Sequence, residues 1–291
     1  MFVKDCALPA QKKGTVHIMK TLPVGLQLYT VRTEMEKDVA ATLKAVKAAG
    51  YDYVEPAGLF GFTPRAFRTL LDEIGLTAVC AHVPFVEMLD NPQGTIDTYK
   101  EIGCKYLAVP YLGDGSRPGD EGFDKILSDI DTFGALCHKN GITLLYHNHD
   151  FEFIRMPDGS YGLDYMYANV PSDNLQTELD TCWVNVGGEV PAEYIRKYAG
   201  RCPVVHLKDF VGSKSENMYE LIGIKTEKKE QAENTFKFAP VGSGKQDFPA
   251  ILEAAVESGA QYVIVEQDQT YELPCLEAAK QSRDYLKTLG W

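Results

Sequence analysis

The sequence has no pair of cysteines at CxxC spacing, no run of 18 apolar residues and no GxGxxG motif. Its seven scattered cysteines are typical of a reduced, cytoplasmic protein and exclude a small disulfide-rich secreted domain. Without a long apolar run, no membrane-spanning helix is expected. The N-terminus also lacks the apolar core of a secretory signal. A cytoplasmic location with no membrane partner is therefore predicted.

Positive charge is also scarce. The chain has 29 Lys+Arg against 41 Asp+Glu, a formal net charge of −12. Nucleic acid is therefore not the expected partner, because phosphate binding needs a dense cationic surface. The hydrophobic fraction of 45% and the charged fraction of 24% indicate a globular protein with a large core. These features favour a metabolic enzyme whose partner is a small molecule.

From residue 22 onward, one unit recurs: a short β-branched or aromatic run, a polar loop and an amphipathic stretch that often ends at glycine. Strands are predicted at 24–29, 51–55, 77–82, 105–110, 142–147, 175–180, 203–208 and 262–266. Helices are predicted at 39–49, 64–74, 95–102, 123–138, 163–168, 191–198, 248–258 and 273–289. This alternation predicts an α/β fold, a single (β/α)8 TIM barrel over 22–291, with 1–21 as a leader or flexible extension. An open doubly wound sheet is the alternative, but the first strand is followed by no glycine-rich phosphate loop.

Polar side chains cluster at the predicted strand ends, where a barrel carries its reactive face. His147, Asp180, His206 and Glu266 end four successive barrel strands, so their side chains are expected to converge. A mixed imidazole and carboxylate set suits Mn²⁺, Co²⁺, Zn²⁺ or Fe²⁺ better than Ca²⁺. We expect a divalent metal site, with Mn²⁺ as the first choice of ion. The alternative is that each residue is separately satisfied at the barrel mouth.

Six segments together resemble the sugar-phosphate isomerase/epimerase superfamily, whose xylose isomerase-like barrels include family-2 AP endonucleases and inosose dehydratases. The matching segments are 24–32 (VGLQLYTVR), 144–153 (LLYHNHDFEF), 178–201, 205–209 (VHLKD), 241–248 (VGSGKQDF) and 263–268 (VIVEQD). The resemblance covers almost the whole chain after residue 22. It implies that the metal ligands are the residue that ends the fifth strand, Asp180, His206 and Glu266.

The resemblance departs from the epimerase pattern at the fifth strand. Epimerases of this superfamily usually have Glu where this chain has His147, and they tend to have His where it has Trp183. They use two glutamates on opposite faces of the substrate carbon, and here only Glu266 of that pair remains. Inosose dehydratases also carry His-rich sequence at this strand. Glu152 is a candidate to replace the missing base or to act as a ligand.

The remaining polar residues suggest roles around the metal. Lys208 is a candidate second cation for an oxyanion, and His82 or His149 a candidate proton donor. Tyr29, Glu55, His149 and Trp183 are assigned to the substrate-binding surface; simple packing is the alternative for the two aromatic residues, and a structural role for Glu55. Gly242-Ser243-Gly244 resembles a phosphate-binding turn, but a lone GSG is weak support for a phosphorylated substrate.

The first expected function is a divalent-metal-dependent sugar isomerase or epimerase that removes a proton beside a metal-bound carbonyl to give an enediolate. The alternative is a lyase that dehydrates a keto-sugar, an inosose or a 3-keto-glycoside, because one base and one acid suffice for β-elimination. A non-catalytic sugar-binding barrel is a third reading, and an AP endonuclease conflicts with the charge of −12. The expected partner is a carbohydrate, and a homo-oligomer is a further expectation.

Overall fold

A computed structural model of the chain describes residues 20–214 and 235–291. Its strands are β1 (Val24–Gln27), β2 (Tyr53–Glu55), β3 (Thr77–Ala78), β4 (Tyr106–Val109), β5 (Thr143–His147), β6 (Gln176–Asp180), β7 (Val204–Leu207), β8 (Asp209–Val211), β9 (Lys237–Ala239) and β10 (Tyr262–Val265). Eight of these form one parallel sheet in the order β3-β2-β1-β10-β7-β6-β5-β4, and β8 and β9 form an antiparallel hairpin.

The sheet closes between its two outer strands, β3 and β4. The chain beyond β3 stays extended, and Ala81 both donates to the Tyr106 carbonyl (3.2 Å) and accepts from the Ala108 amide (2.9 Å). Val83 continues the pairing through its amide to the Ala108 carbonyl at 3.1 Å. These bonds leave no open edge, so the predicted (β/α)8 barrel is confirmed.

Helices surround the barrel. They are α1 (Arg32–Met35), α2 (Val39–Ala49), α3 (Pro64–Ile74), α4 (Phe85–Asp90), α5 (Pro92–Ile102), α6 (Phe123–Lys139), α7 (Gly162–Asn169), α8 (Thr181–Val186), α9 (Pro191–Lys197), α10 (Phe248–Glu257) and α11 (Cys275–Thr288). Within 20–214 and 235–291, no helix is both long and apolar enough to cross a membrane.

Capping residues fix several helix ends. Thr63 caps α3 by accepting from the Ala66 amide, with Pro64 in the first helical position. Asp247 caps α10 in the same way. Gly50 and Gly75 end α2 and α3 in the left-handed conformation that glycine adopts without strain. These local signals explain why α2 and α3 have the predicted bounds.

Other predicted bounds need correction. Strand β1 ends at Gln27, two residues early, because the Gln27 side chain accepts from the Tyr29 amide and a 3₁₀ turn (Leu28–Val31) follows. Helix α5 begins at Pro92, because Asn91 caps it through the Gly94 amide. Helices α1, α4 and α8 and the β8–β9 hairpin were not predicted. The sequence of 211–241 predicts one irregular segment after the seventh barrel strand, a candidate loop for capping the site. That role concerns mainly 215–234, which lie outside the described residues, as do residues 1–19 of the predicted extension.

Most of the apolar core lies in two layers, and a third, small cluster contains Cys182, Trp183, Phe210, Phe236 and Phe238. The larger one lies between the sheet and the helices and includes Leu26, Leu43, Phe67 and Leu144. The smaller one fills the lower barrel interior with Val79, Leu145, Val204, Tyr262 and Ile264, among others. Above this inner layer the interior becomes polar. The polar layer holds the candidate site.

Candidate active site

Strand alternation sends the polar residues of four adjacent strands into the barrel. Side chains two residues apart on a strand share a face. His147 therefore lies above the buried Leu145 of β5, His206 above Val204 of β7, and Glu266 above Ile264 of β10. The register pairs Asp180 with His206 across β6 and β7. The convergence predicted for these four strand-end residues is thus what the barrel produces.

Four side chains form the candidate metal centre: His147, Asp180, His206 and Glu266. One ligand atom from each lies within 4.8 Å of the others, and all four residues are buried. The Nε2 atom of His147 is 3.7 Å from Oδ2 of Asp180 and 4.0 Å from Oε2 of Glu266. Nδ1 of His206 is 3.0 Å from the same Glu266 oxygen. Ligands at about 2.0–2.2 Å from one ion need only small side-chain shifts from this arrangement.

Local structure fixes the carboxylate of Asp180. Its Oδ1 atom accepts from the Trp183 amide at 3.0 Å, so Asp180 is the N-cap of α8. The Asp180 amide in turn donates to the side chain of Asn148 at 3.0 Å, which ties the ends of β5 and β6 together. Oδ2 is thereby directed toward the candidate metal centre. Neither α8 nor Asn148 was recognised from the sequence.

Lys208 lies inside the same cluster and is 1% exposed. Its Nζ atom is 3.0 Å from Asp180, 2.8 Å from Glu266 and 2.9 Å from Asp268. Burial opposes the charged form, but the charges of Asp180, Asp268 and Glu266 outweigh it and raise the pKa of Lys208 well above its usual value. Lys208 is therefore an ammonium ion shared by three carboxylates.

Two further glutamates, the lower carboxylates Glu55 and Glu178, lie beneath the candidate metal centre with no exposed surface. Oε2 of Glu178 is 2.6 Å from Nε2 of His82 and 3.2 Å from Nδ1 of His147. Oε2 of Glu55 is 2.7 Å from Nε2 of His206. Glu178 was not among the predicted site residues, although its position two residues before Asp180 on β6 places both side chains on one face.

The donor set of the cluster fits a divalent cation. Five buried carboxylates, Glu55, Glu178, Asp180, Glu266 and Asp268, accompany one buried lysine, Lys208. Burial opposes charge on the rings of His82 and His206, but Glu55 and Glu178 raise the pKa of both, so these rings add positive charge to the cluster. Burial lowers the pKa of His147 to about 4, so its ring is neutral at neutral pH, as a metal ligand must be. The imidazole and carboxylate donors therefore fit a divalent ion.

The proton distribution distinguishes the other groups. Burial raises the pKa of Glu55, while the pKa of Glu178 falls well below its usual value because the charges of His206 and His82 overcome the effect of burial. Burial opposes a charged His82, but Glu55 and Glu178 raise its pKa. Burial lowers the pKa of His149 well below its usual value. His82 thus favours the charged form and His149 the neutral one.

A cavity of about 480 Å³ opens above the cluster. Its walls include the aromatic rings and polar groups of Tyr29, His82, Tyr111, His149, Lys208 and Asp268, together with His147 and Glu266. Tyr29, His82, His149, Lys208 and Glu266 were all assigned to the site from the sequence. The cavity is large enough for a monosaccharide-sized ligand.

Three predicted site residues are placed elsewhere. Trp183 has no exposed surface and packs behind His149 and against Phe236 and Phe238, so it supports the pocket wall and does not contact substrate. Glu55 is buried against His206 and likewise cannot reach substrate. Glu152 accepts from the Tyr146 hydroxyl at 2.6 Å and the His149 amide at 2.8 Å. The Glu152 carboxylate therefore lies beside the outer face of β5, because its partner Tyr146 points away from the barrel interior toward the helices.

The GSG turn carries an internal anion. The Asp209 carboxylate accepts from the amides of Gly242 (3.0 Å), Gly244 (2.7 Å) and Gln246 (3.2 Å). A Cβ atom at Gly244 would lie 2.2 Å from Asp209 Oδ1, so glycine is required for this approach. The backbone amides that resembled a phosphate site therefore already bind a carboxylate.

Comparisons with known proteins agree with this architecture. The sequence model of the xylose isomerase-like TIM barrel family matches residues 43–289. The chain belongs to this family. The match spans most of the barrel, including all four residues of the candidate metal centre.

Relatives of this chain include named enzymes. The chain is 22% identical to an inosose dehydratase of Geobacillus kaustophilus over 272 residues, which cover 85% of this chain and 86% of the relative. A sugar phosphate isomerase/epimerase of Parabacteroides distasonis superposes with a TM-score of 0.74 at 20% identity, covering 96% of this chain and 98% of that one. The IOLI protein, solved with a zinc atom, superposes with a TM-score of 0.67 at 18% identity, covering 92% and 98%.

Proposed function

We propose that this protein is a divalent-metal-dependent dehydratase of an unphosphorylated keto-polyol or keto-sugar. The observation that carries the proposal is which groups line the cavity. His82, His147, His149, Lys208 and Glu266 line it, and His147 ends the strand at which epimerases have their second glutamate. Glu266 therefore lacks the second glutamate of that pair. One acid and one base suffice for elimination, whereas epimerisation at one carbon needs a base on each face.

The chain's own groups would divide the chemistry. In the elimination, a proton leaves the carbon beside the carbonyl and hydroxide leaves the next carbon, so that one C=C bond forms and water is released. Lys208 would stabilise negative charge on a substrate oxygen, because its ammonium group lines the cavity. His149, neutral in the pocket wall, would accept the proton, and His82 would protonate the departing hydroxide. A bound divalent ion, held by the candidate metal centre, would supply Lewis-acid polarisation of the carbonyl.

Two observations support an unphosphorylated substrate. Asp209 fills the ring of backbone amides that a phosphate group would otherwise use. The relatives named inosose dehydratase agree with a neutral cyclic substrate.

The test is product analysis in D₂O. Protein loaded with Mn²⁺, Co²⁺ or Zn²⁺ is incubated with an inosose, a 3-keto-glycoside and free ketoses, and products are followed by NMR and mass spectrometry. We expect loss of one water from at least one substrate. His82→Gln should reduce the rate by about 10²–10⁴-fold, as removal of a proton-transfer group does. His138→Gln, on the exposed face of α6, is the matched control.

Two results would contradict dehydration. Deuterium entering an otherwise intact carbon skeleton would support the isomerase or epimerase expected first from the sequence. That reaction shares proton removal beside the carbonyl, but the proton returns to the carbon skeleton and no hydroxide leaves. Metal-loaded protein that binds these sugars without exchange or elimination would support a non-catalytic sugar-binding barrel.

A further inference from the structure

The rings of His147 and His206 each lie between two layers of carboxylates. His147 presents Nε2 to Asp180 and Glu266 above it and Nδ1 to Glu178 below it, at 3.2 Å. His206 is turned the other way, with Nδ1 toward Glu266 and Nε2 toward Glu55 at 2.7 Å. Each ring thus has one nitrogen in the candidate metal centre and the other on a lower carboxylate.

We propose that Glu178 and Glu55 are positioning residues that hold the metal-binding nitrogens of His147 and His206 in place. Glu178 acts through His147, and Glu55 acts through His206. The same Glu178 oxygen is also 2.6 Å from Nε2 of His82 and 3.4 Å from Nε2 of His206, but the shorter contact of that His206 nitrogen is with Glu55 at 2.7 Å. This inference rests on the proposed metal site and adds to it a second layer that sets which nitrogen of each ring binds the ion. It assigns Nε2 of His147 and Nδ1 of His206 as the ligand atoms.

The chemistry of neutral imidazole requires such partners. A ring that gives one nitrogen lone pair to a metal carries its proton on the other nitrogen, and a buried N–H group needs an acceptor. Glu178 and Glu55 have no exposed surface, so no solvent competes for their oxygens. An anionic acceptor also increases the basicity of the ring and therefore its affinity for a cation.

A second arrangement of the same rings is the main competitor. His82, His147, His206 and Glu178 also present ligand atoms within 4.8 Å of one another. An ion there would use the opposite nitrogens of His147 and His206, so it would exclude the upper ion. Each arrangement has two residues that line the cavity, His147 with Glu266 in the upper one and His147 with His82 in the lower one. The upper arrangement is favoured because it supplies two carboxylates, Asp180 and Glu266, to a divalent cation, whereas the lower one supplies only Glu178.

The test uses the full-length protein and Co²⁺ as the probe. Affinity is measured by competition with a chelator, and the exchangeable ring N–H protons near the ion are observed by paramagnetic NMR, assigned with His147→Gln and His206→Gln. We expect Glu178→Gln to weaken Co²⁺ binding by about 10–100-fold and to change the His147 N–H signal. Glu55→Gln should weaken binding over a similar range and change the His206 signal. Glu178→Asp keeps the charge at a shorter reach, and it should bind Co²⁺ with intermediate affinity even if Glu178→Gln fails to fold.

Glu152→Gln is the matched control for metal affinity, because it makes the same change at a buried glutamate whose oxygens contact Tyr146 and a backbone amide. Equal Co²⁺ affinity and unchanged N–H signals in Glu178→Gln and Glu55→Gln would overturn the proposal. So would binding that survives Asp180→Asn but is lost in Glu178→Gln, since the ion would then lie in the lower arrangement. Wild-type protein that binds no Co²⁺ would overturn both the positioning role and the proposed function. Binding without dehydration would overturn only the reaction.

Discussion

At the scale of single residues, the barrel mouth contains charged side chains that are buried and that compensate one another's charge. Lys208 is almost fully buried yet remains ionised because three carboxylates lie within 3.0 Å of its Nζ atom. Those carboxylates are in turn tolerated in the interior because Lys208 is present. Removing one member of such a set leaves the others uncompensated, which costs more than the pairing itself contributes.

Lys208→Met should therefore destabilise the metal-free protein by about 3–5 kcal/mol. Urea unfolding in the presence of a chelator measures the change, and saturating Mn²⁺ should reduce the loss, because the ion supplies positive charge to the same carboxylates. Lys197→Met is the control, since Lys197 forms a half-exposed pair with Asp164 and should cost less than about 1 kcal/mol. Equal losses in the two variants would contradict this account of Lys208.

Glu152 gives a prediction about pH. Burial raises its pKa from 4.5 to about 8, so the folded protein holds the proton over a range in which the unfolded chain has lost it. The contribution of Glu152 to the free energy of unfolding is fully present below pH 4.5. It is lost as pH rises through about 8, and the loss is at most about 5 kcal/mol. Glu152→Gln should therefore gain stability relative to wild type as pH rises across this window. Parallel stability curves for the two proteins would show that Glu152 ionises normally.

At the scale of secondary structure, the β7–β8 junction and the turn at 242–246 act as one unit. Asp209 begins β8, directly after Lys208, and its carboxylate accepts from three amides of the turn and from the Phe210 amide. The side chain that ties down the turn is thus adjacent in sequence to the lysine in the cavity. A change in the conformation of this turn is therefore expected to shift Lys208, because Lys208 is bonded directly to Asp209.

Asp209→Asn should loosen this turn, because an amide cannot accept from all of these N–H groups with both of its polar atoms. We expect hydrogen exchange at Gly242 and Gly244 to accelerate and the protein to lose about 1–3 kcal/mol. Asp158→Asn is the control, because Asp158 caps an exposed turn through Ser160. If the Gly242 and Gly244 amides were equally protected from hydrogen exchange in Asp209→Asn and in the wild type, the Asp209 carboxylate would not be what holds this turn.

The elements also show how far sequence reasoning reaches. Hydrophobic runs and caps predict the eight barrel strands and most of the helices, because those signals are local. The convergence of His147, Asp180, His206 and Glu266 also follows from sequence, because parallel strands end at one rim. Glu178, Asn148 and α8 were missed, as their roles depend on contacts between strands. Short elements such as β8 and β9 carry too few residues for a pattern, and only the folded chain shows that Asp209 occupies the GSG turn.

At the scale of the whole molecule, the candidate metal centre joins elements that are far apart in sequence. Its four residues span 147–266 and belong to β5, β6, β7 and the chain directly after β10. An ion that binds the folded barrel and not the unfolded chain stabilises the whole fold, by about 2.7 kcal/mol at 100 times its Kd. Metal removal should accordingly lower the unfolding temperature of the entire barrel as one transition.

The presence of the candidate metal centre is tested by the metal content of the purified and reconstituted protein, compared with that of Asp180→Asn, His206→Gln and the control His138→Gln. We expect one divalent ion per chain in the wild type and the control, and its loss in the other two variants. Wild-type protein that retains no Mn²⁺, Co²⁺ or Zn²⁺, or variants that bind as well as the wild type, would contradict the presence of this centre.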